Sequence, residues 1–300
     1  MAWDRSKYAN AMGSGFVMAG DKKGAVVLTA KHVLDGVRDF QRPEQKHASS
    51  ALPEFIVPPK ISLKPSDLKI VWMGPKTALM MNVVYAFYSK QLDIACCIVT
   101  PQKTEKFSPF SVPLDCRTPS VGDTVHMVSC WQNKVSESAP PQKRDGFGQT
   151  LEIERAVNIR IGSVTGVYEA GFRQYDFPCF TTSIPAEPGM RGGFVYLPKD
   201  GATVAACGIV CGDNPTTEME DGVRMSQLQS GESVIACTWP TLGLSVPDSI
   251  PANDATPKRT IYEMIKTGRM LAYEDSIDLF ELIKLEGDDC RVQRKTQQCS

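Results

Sequence analysis

The stretch P-A-E-P-G-M-R-G-G-F-V-Y, Pro185 to Tyr196, decides how this 300-residue sequence is read. Glycine at 189 and again at 192 and 193 brackets a tight turn, since glycine enters left-handed backbone without steric cost. The turn runs into Phe194, Val195 and Tyr196, which favour a strand. At its centre stands Arg191, whose guanidinium is permanently charged and has no attacking lone pair.

Two earlier stretches give that loop a context. G-S-G-F-V (Gly13–Val17) followed by V-V-L-T-A-K-H-V-L (Val26–Leu34) places His32 after a buried strand, at the start of a short helical turn. Q-L-D-I-A-C-C-I-V (Gln91–Val99) places Asp93 at the head of another strand. Each signal is weak alone. A histidine after a strand is commonly structural, an aspartate at a strand entrance commonly a turn residue, and a glycine pair commonly a hairpin. Together they carry weight through their order and separation, 61 and then 98 positions (93 − 32 and 191 − 93), which suits two successive six-stranded barrels.

The remaining chain agrees with that architecture. Short runs rich in Val, Ile, Phe and Tyr, separated by Gly, Pro and polar clusters, predict strands near 15–19, 25–29, 68–73, 78–88 and 93–100. A second series is expected near 124–130, 151–167, 179–184, 193–197, 204–210 and 232–238. Phe107 to Asp123, rich in Pro and Ser, reads as a linker between the two series, and 40–65 and 132–149 read as long exposed loops. After residue 248 the pattern changes. Thr256 and Pro257 signal a helix start, Ile261, Met264 and Ile265 form an apolar stripe, and Gly268 a stop. A second helix is expected from Asp275 to Glu286, with Ile277, Phe280 and Ile283 on one side. These helices either pack on the barrels or dock a partner. The expected plan is an N-terminal barrel over 1–112, a second barrel over 113–248 and a helical tail over 249–300.

On the residues T-A-K-H, L-D-I-A, V-P-L-D…V-G-D-T-V and T-T-S-I-P-A-E-P-G-M-R-G-G, the sequence resembles the chymotrypsin/trypsin-like serine proteases, nearest their intracellular bacterial-type branch. The resemblance implies an all-β fold of two six-stranded antiparallel Greek-key barrels with a short C-terminal helical extension. It implies peptide-bond hydrolysis in a peptide or protein substrate by a Ser-His-Asp triad, without cofactor or metal. His32 falls on the general base and Asp93 on the carboxylate that orients it. The N–H groups of Gly189 and Arg191 fall on the oxyanion hole. C-G-I-V-C-G (Cys207–Gly212) falls on the strand that holds substrate backbone, through Gly208, Ile209, Val210 and Gly212. Arg191 falls on the nucleophile itself, so hydrolysis by the family's mechanism is not expected. The scaffold is then either an endopeptidase carrying an inactivating change or a native pseudoprotease that binds a peptide or protein.

Departures sharpen this. Met190 replaces the aspartate that pairs with a new N-terminus in secreted zymogens, so activation by trimming is not expected. Pro185 occupies the floor of the specificity pocket, which gives no support for strict Lys or Arg preference. Ser163 and Ser183 lack the glycine setting of a nucleophile, and Cys207 and Cys211 fall on the strand after the loop. His47 and His126 have no partner pattern.

Composition sets the outer bounds. With 33 Lys and Arg against 34 Asp and Glu, nothing calls for nucleic acid or an anionic membrane as partner. No apolar run approaches a membrane span, and the opening residues lack the apolar core of a signal peptide. The 10 cysteines are therefore expected as free thiols, and the protein as cytoplasmic. No C-x-x-C pair or four-ligand zinc spacing occurs; several cysteines sit in apolar runs as small hydrophobes. D-K-K-G (Asp21–Gly24) reads as a hairpin turn, and no phosphate-binding glycine motif supports a nucleotide.

Overall fold

The structure, a computed structural model, describes residues 13–34, 69–73, 78–88, 92–102, 107–130, 134–137, 151–154, 157–187, 189–198, 204–216, 219–220, 223–224, 228–250, 256–284 and 290–295. The loop expected at 40–65, and His47 within it, lies outside the described residues.

Strands β1 (Phe16–Asp21), β2 (Gly24–Ala30), β3 (Lys69–Met73), β4 (Ala78–Tyr88) and β5 (Ile94–Pro101) form an antiparallel sheet ordered β1-β2-β5-β4-β3. Five strands of the expected six are thus present among the described residues. The D-K-K-G turn does close a hairpin, with Asp21 Oδ1 accepting from the N–H groups of Lys23 (2.7 Å) and Gly24 (3.2 Å).

The second series comprises β6 (Thr124–Cys130), β7 (Lys134–Glu137), β8 (Leu151–Glu154), β9 (Val157–Tyr168), β10 (Cys179–Thr182), β11 (Phe194–Tyr196), β12 (Ala206–Thr216), β13 (Met219–Glu220), β14 (Val223–Arg224) and β15 (Leu228–Cys237). Six of these close a barrel in the order β10-β15-β12-β11-β6-β9. The single strand expected over 151–167 is two, β8 and β9, and β8 pairs with β7 inside the expected 132–149 loop. The fold is that of a trypsin-like double β-barrel.

Period-two alternation explains why two barrels and not one. Strands β2 and β5 are apolar at nearly every position and bury both faces. Ala25, Val27, Ala95, Cys97 and Val99 enter one apolar cluster with Met81, Val83 and Phe107. Val26, Leu28, Ile94, Cys96 and Ile98 enter another, which also contains Cys179, Ala206, Ile209, Cys211, Val234 and Ala236 of the second barrel. The adjacent cysteines Cys96 and Cys97 thus face opposite sides, one toward the other barrel. A third cluster, with Val125, Met127, Phe180, Val195, Cys207, Val210 and Ile235, fills the closed barrel.

The stretch expected to be a linker joins the two series of strands and is buried over 112–116. Phe107, Leu114 and Cys116 are almost wholly removed from solvent. Val112 N–H donates to Val17 O (2.8 Å), and Leu114 bridges both Ala206 and Ala272. Prolines suit such a packed connection, which needs few backbone donors. Asp115, 3% exposed, accepts from Arg117 Nε (2.8 Å) and a terminal guanidinium nitrogen (2.8 Å), and Arg117 lies 4.8 Å from the Tyr273 ring centroid. Asp115→Ala removes these charge-assisted bonds and leaves Arg117 with Glu274 at 3.2 Å, and it is expected to lower stability by about 2 kcal/mol, read as an earlier urea midpoint.

The tail packs on the barrels. Strands β16 (Ser245–Pro247) and β17 (Lys258–Thr260) pair and lead into the helix Ile261–Lys266. Its cap is Thr260, not Thr256. The Thr260 hydroxyl accepts from Glu263 N–H (3.1 Å) and Glu263 accepts from Thr260 N–H (2.9 Å), a capping box legible in T-I-Y-E. The second expected helix does not form. Ser276–Leu279 is a 3₁₀ turn, and β18 (Phe280–Lys284) pairs with β19 (Cys290–Arg294). Phe280 stacks on Trp239 at 5.2 Å, and Leu282 faces Val292 across the hairpin, so a strand buries these residues as a helix stripe would not. Ile261, Met264, Ile277, Phe280 and Val292 all belong to the cluster shared by the barrels.

Candidate active site

Register brings His32 and Asp93 together. The last cross-strand pair of β2 and β5 is Ala30–Ile94, and both residues lie just beyond it. His32 Nδ1 stands 2.6 Å from Asp93 Oδ2, while His32 N–H donates to Asp93 Oδ1 (2.9 Å) and Lys31 N–H to Asp93 O (3.1 Å). One carboxylate thus orients the imidazole and caps the helical turn at 31–34. A carboxylate opposite Nδ1 fixes the proton there and leaves a lone pair on Nε2. Nε2 is buried and has no hydrogen-bond partner among the described residues.

The glycine loop is held in its turn by four backbone bonds. Met190 N–H donates to Glu187 O (3.0 Å), Gly193 N–H to Met190 O (2.9 Å), Gly192 N–H to Val210 O (2.7 Å), and Val210 N–H to Gly193 O (2.9 Å). Gly189 and Gly192 sit at φ +93° and +82°, in the left-handed region. The N–H groups of Gly189 and Arg191 make no hydrogen bond among the described residues. Pro185 is half-buried, its carbonyl accepting from Arg160 (3.4 Å), which also faces Glu187 at 3.8 Å.

Ser14 fastens this loop to the first sheet, and sequence reasoning missed it. Its hydroxyl donates to Gly189 O (2.8 Å) and accepts from Cys130 N–H (2.8 Å). Its own N–H donates to Arg191 O (2.6 Å), and its carbonyl accepts from Thr29 Oγ1 (2.6 Å). The G-S-G context announces a close backbone approach, but not its partners. A Cβ on Gly192 would lie 2.2 Å from Ser14 O and 2.3 Å from Thr29 Oγ1, whereas one on Gly189 meets only Cys130 O at 3.5 Å. Gly192→Ala is therefore expected to lower stability by about 3 kcal/mol or more, and Gly189→Ala by about 1–2 kcal/mol from backbone strain alone. Paired thermal melts check the difference.

The strand edge expected at Gly208, Ile209 and Val210 is not free. All three are buried, with β11 or the glycine loop on one side and β15 on the other. The neighbouring strands already take up their backbone groups, so they cannot hold a peptide. Gly212 lies past the end of β11, across a bulge from β15. There the Arg191 side chain lies against it, with Nε 3.7 Å and Cζ 3.9 Å from where a Cβ would stand, and the Tyr175 hydroxyl 3.0 Å away. Tyr175, unmarked in the sequence, is held near the site between β9 and β10. Burial, with Cys211 alongside, pushes its hydroxyl up to about 12.

Neither Cys207 nor Cys211 replaces the nucleophile. Burial, with the Asp93 carboxylate next to it, pushes the Cys211 thiol well above its ordinary range, and burial does the same to Cys207. Neither supplies thiolate at neutral pH. Ser163 and Ser183 face each other on the barrel exterior, Ser163 N–H donating to the Ser183 hydroxyl (3.0 Å). His126 does have a partner, Nδ1 standing 2.9 Å from the Tyr196 hydroxyl. Among the described residues, nine cysteines are free thiols and no group of three His, Cys, Asp or Glu is placed to hold a metal ion. No described helix is long and apolar enough to cross a membrane.

A closed six-stranded barrel, a second sheet with a His–Asp pair at its end and a glycine turn between them define the peptidase scaffold of the trypsin type. Residues 13–205 match the trypsin-like peptidase domain, and the chain belongs to that family. Similar solved structures include Rv3671c from M. tuberculosis H37Rv in an inactive serine-to-alanine form, 13% identical over 75% of this chain and 76% of that one, TM-score 0.40. The MamO protease domain of Magnetospirillum magneticum is 13% identical over 79% and 89%, TM-score 0.42. Deg5 is 17% identical over 68% and 76%, TM-score 0.39. No curated protein matches the chain.

Proposed function

We propose that this chain is a trypsin-like peptidase scaffold that holds a peptide or protein in its cleft and does not hydrolyse it. The observation that carries this is Arg191 in the turn between Gly189 and Gly192, at the position where the family's nucleophile acts. A guanidinium cannot form an acyl-enzyme, and loss of a triad nucleophile lowers turnover about a millionfold. His32 is the base position, Asp93 its orienting carboxylate, and the unpaired N–H groups of Gly189 and Arg191 the oxyanion donors. On this reading Pro185 lines the specificity pocket and Gly212 meets the substrate backbone.

A second reading, an endopeptidase inactivated by this one residue, is favoured by the intact 2.6 Å pair between His32 and Asp93. Covalent labelling with a fluorophosphonate probe tests the shared claim. The unchanged chain stays unlabelled in its cleft; a probe adduct there shows a working nucleophile and overturns the proposal. Labelling of Arg191→Ser, dependent on His32, identifies a latent triad. The absence of labelling in either form removes the endopeptidase reading and leaves the binding one.

A further inference from the structure

We infer that the cleft around Arg191 is a receptor for the C-terminal carboxylate of a peptide. The inference rests on the reading that the cleft holds peptides without cleaving them, and it names the group that is recognised.

The site carries a cation and amide donors that have no acceptor of their own. Arg191 is exposed, and its guanidinium makes no ion pair or hydrogen bond among the described residues. The N–H groups of Gly189 and Arg191 have no acceptor among those residues either. The nearby carboxylate, Asp93, is engaged by the ring and backbone of His32 and by the backbone of Lys31 only through its carbonyl. A bare cation and free amide donors together call for an anion, and a guanidinium fork matches the two oxygens of a carboxylate.

The placement selects a chain end. A peptide running along the β12 edge at Gly212 reaches Arg191 where a scissile carbonyl would otherwise meet a nucleophile. A continuing chain carries a neutral amide there and leaves the guanidinium unanswered. A terminal carboxylate sets one oxygen on the amide donors and the other on Arg191. The guanidinium now lies against Gly212, and moving it aside to admit the peptide breaks no hydrogen bond.

The test uses randomised N-acetylated hexapeptides, prepared as free acids and as C-terminal amides, mixed in equal amounts over the immobilised full chain and read by mass spectrometry. Acids are expected to be retained about tenfold over amides, the ratio a charge-assisted bond supports. Arg191→Ala is expected to bring the ratio to about one while circular dichroism stays native; Arg191→Lys, with one point charge, falls between. Equal retention of acids and amides by the unchanged chain overturns carboxylate recognition and leaves peptide holding intact. Retention of neither form overturns both. Displacement of the acids by sodium acetate at the peptide concentration marks a small-anion site and overturns the peptide assignment.

Discussion

Replacing Arg191 by serine is expected to make the protein react covalently with a fluorophosphonate probe at that position. On the proposed assignment, the parts that would act on the new hydroxyl are a base and a pair of amide donors. The Asp93 carboxylate, 2.6 Å from Nδ1 of His32, keeps the proton on that nitrogen and leaves Nε2 as an acceptor without a partner. The loop carries two amide donors with no acceptor among the described residues, at Gly189 and residue 191. A serine there gains a base and an oxyanion site without further change, and the reaction rate is expected to rise by about five to six orders of magnitude over the parent chain. Adding Asp93→Asn to the variant is expected to reduce that rate about ten-thousandfold, because the ring loses its tautomer. Adding His32→Ala is expected to abolish labelling. A labelled double variant lacking His32 sinks the assignment of the base.

The second large effect is alkaline unfolding. Burial raises the thiols of Cys96, Cys97, Cys116, Cys207, Cys211 and Cys237, with Cys97, Cys116 and Cys237 pushed up to about 12 against an ordinary value of 9.0. In the unfolded chain these thiols lose their protons near pH 9, while the native protein keeps them. The native state then binds more protons, so stability is full below about pH 9 and falls as pH rises above it. Each thiol contributes a slope of about 1.4 kcal/mol per pH unit, and six together about 8. Whole-domain stabilities are about 5–15 kcal/mol, so cooperative unfolding is expected within about 1–2 units above pH 9. Far-UV circular dichroism in the presence of reductant measures the midpoint. Cys97→Ala removes one titrating thiol and is expected to shift the midpoint upward; native signal persisting through pH 11 contradicts the argument.

What was readable in the sequence was local. Most strands from Phe16 to Pro101 and from Thr124 to Cys237 announced themselves by apolar, β-branched runs and by turn residues, which act over a few positions, whereas β7 lies inside an expected loop. The His32–Asp93 pair was readable for a related reason: His32 sits two positions past the end of β2 and Asp93 one before the start of β5, and antiparallel pairing of two buried strands brings such ends together. The Thr260–Glu263 capping box was legible too, and was passed over for the Thr256–Pro257 signal. The hairpin at 280–294 was not legible, because Ile277, Phe280 and Ile283 fit a helical stripe until Trp239 and Val292 supply the partners of a strand.

By itself the sequence determined the β character of the chain, the order His32, Asp93, glycine turn, and the guanidinium at the turn's centre. Side-chain type and short-range periodicity carry all of these. Only the tertiary structure decided that Gly208, Ile209 and Val210 are enclosed on both edges, that residues 112–116 of the connection are buried, and that Arg191 lies against Gly212 beside Tyr175. It also decided that Ser14 fastens the loop, through bonds spanning 175 positions to Gly189 and 116 to Cys130. These depend on which strands become neighbours. Pairing and packing set that over the whole chain, and no window of residues contains it.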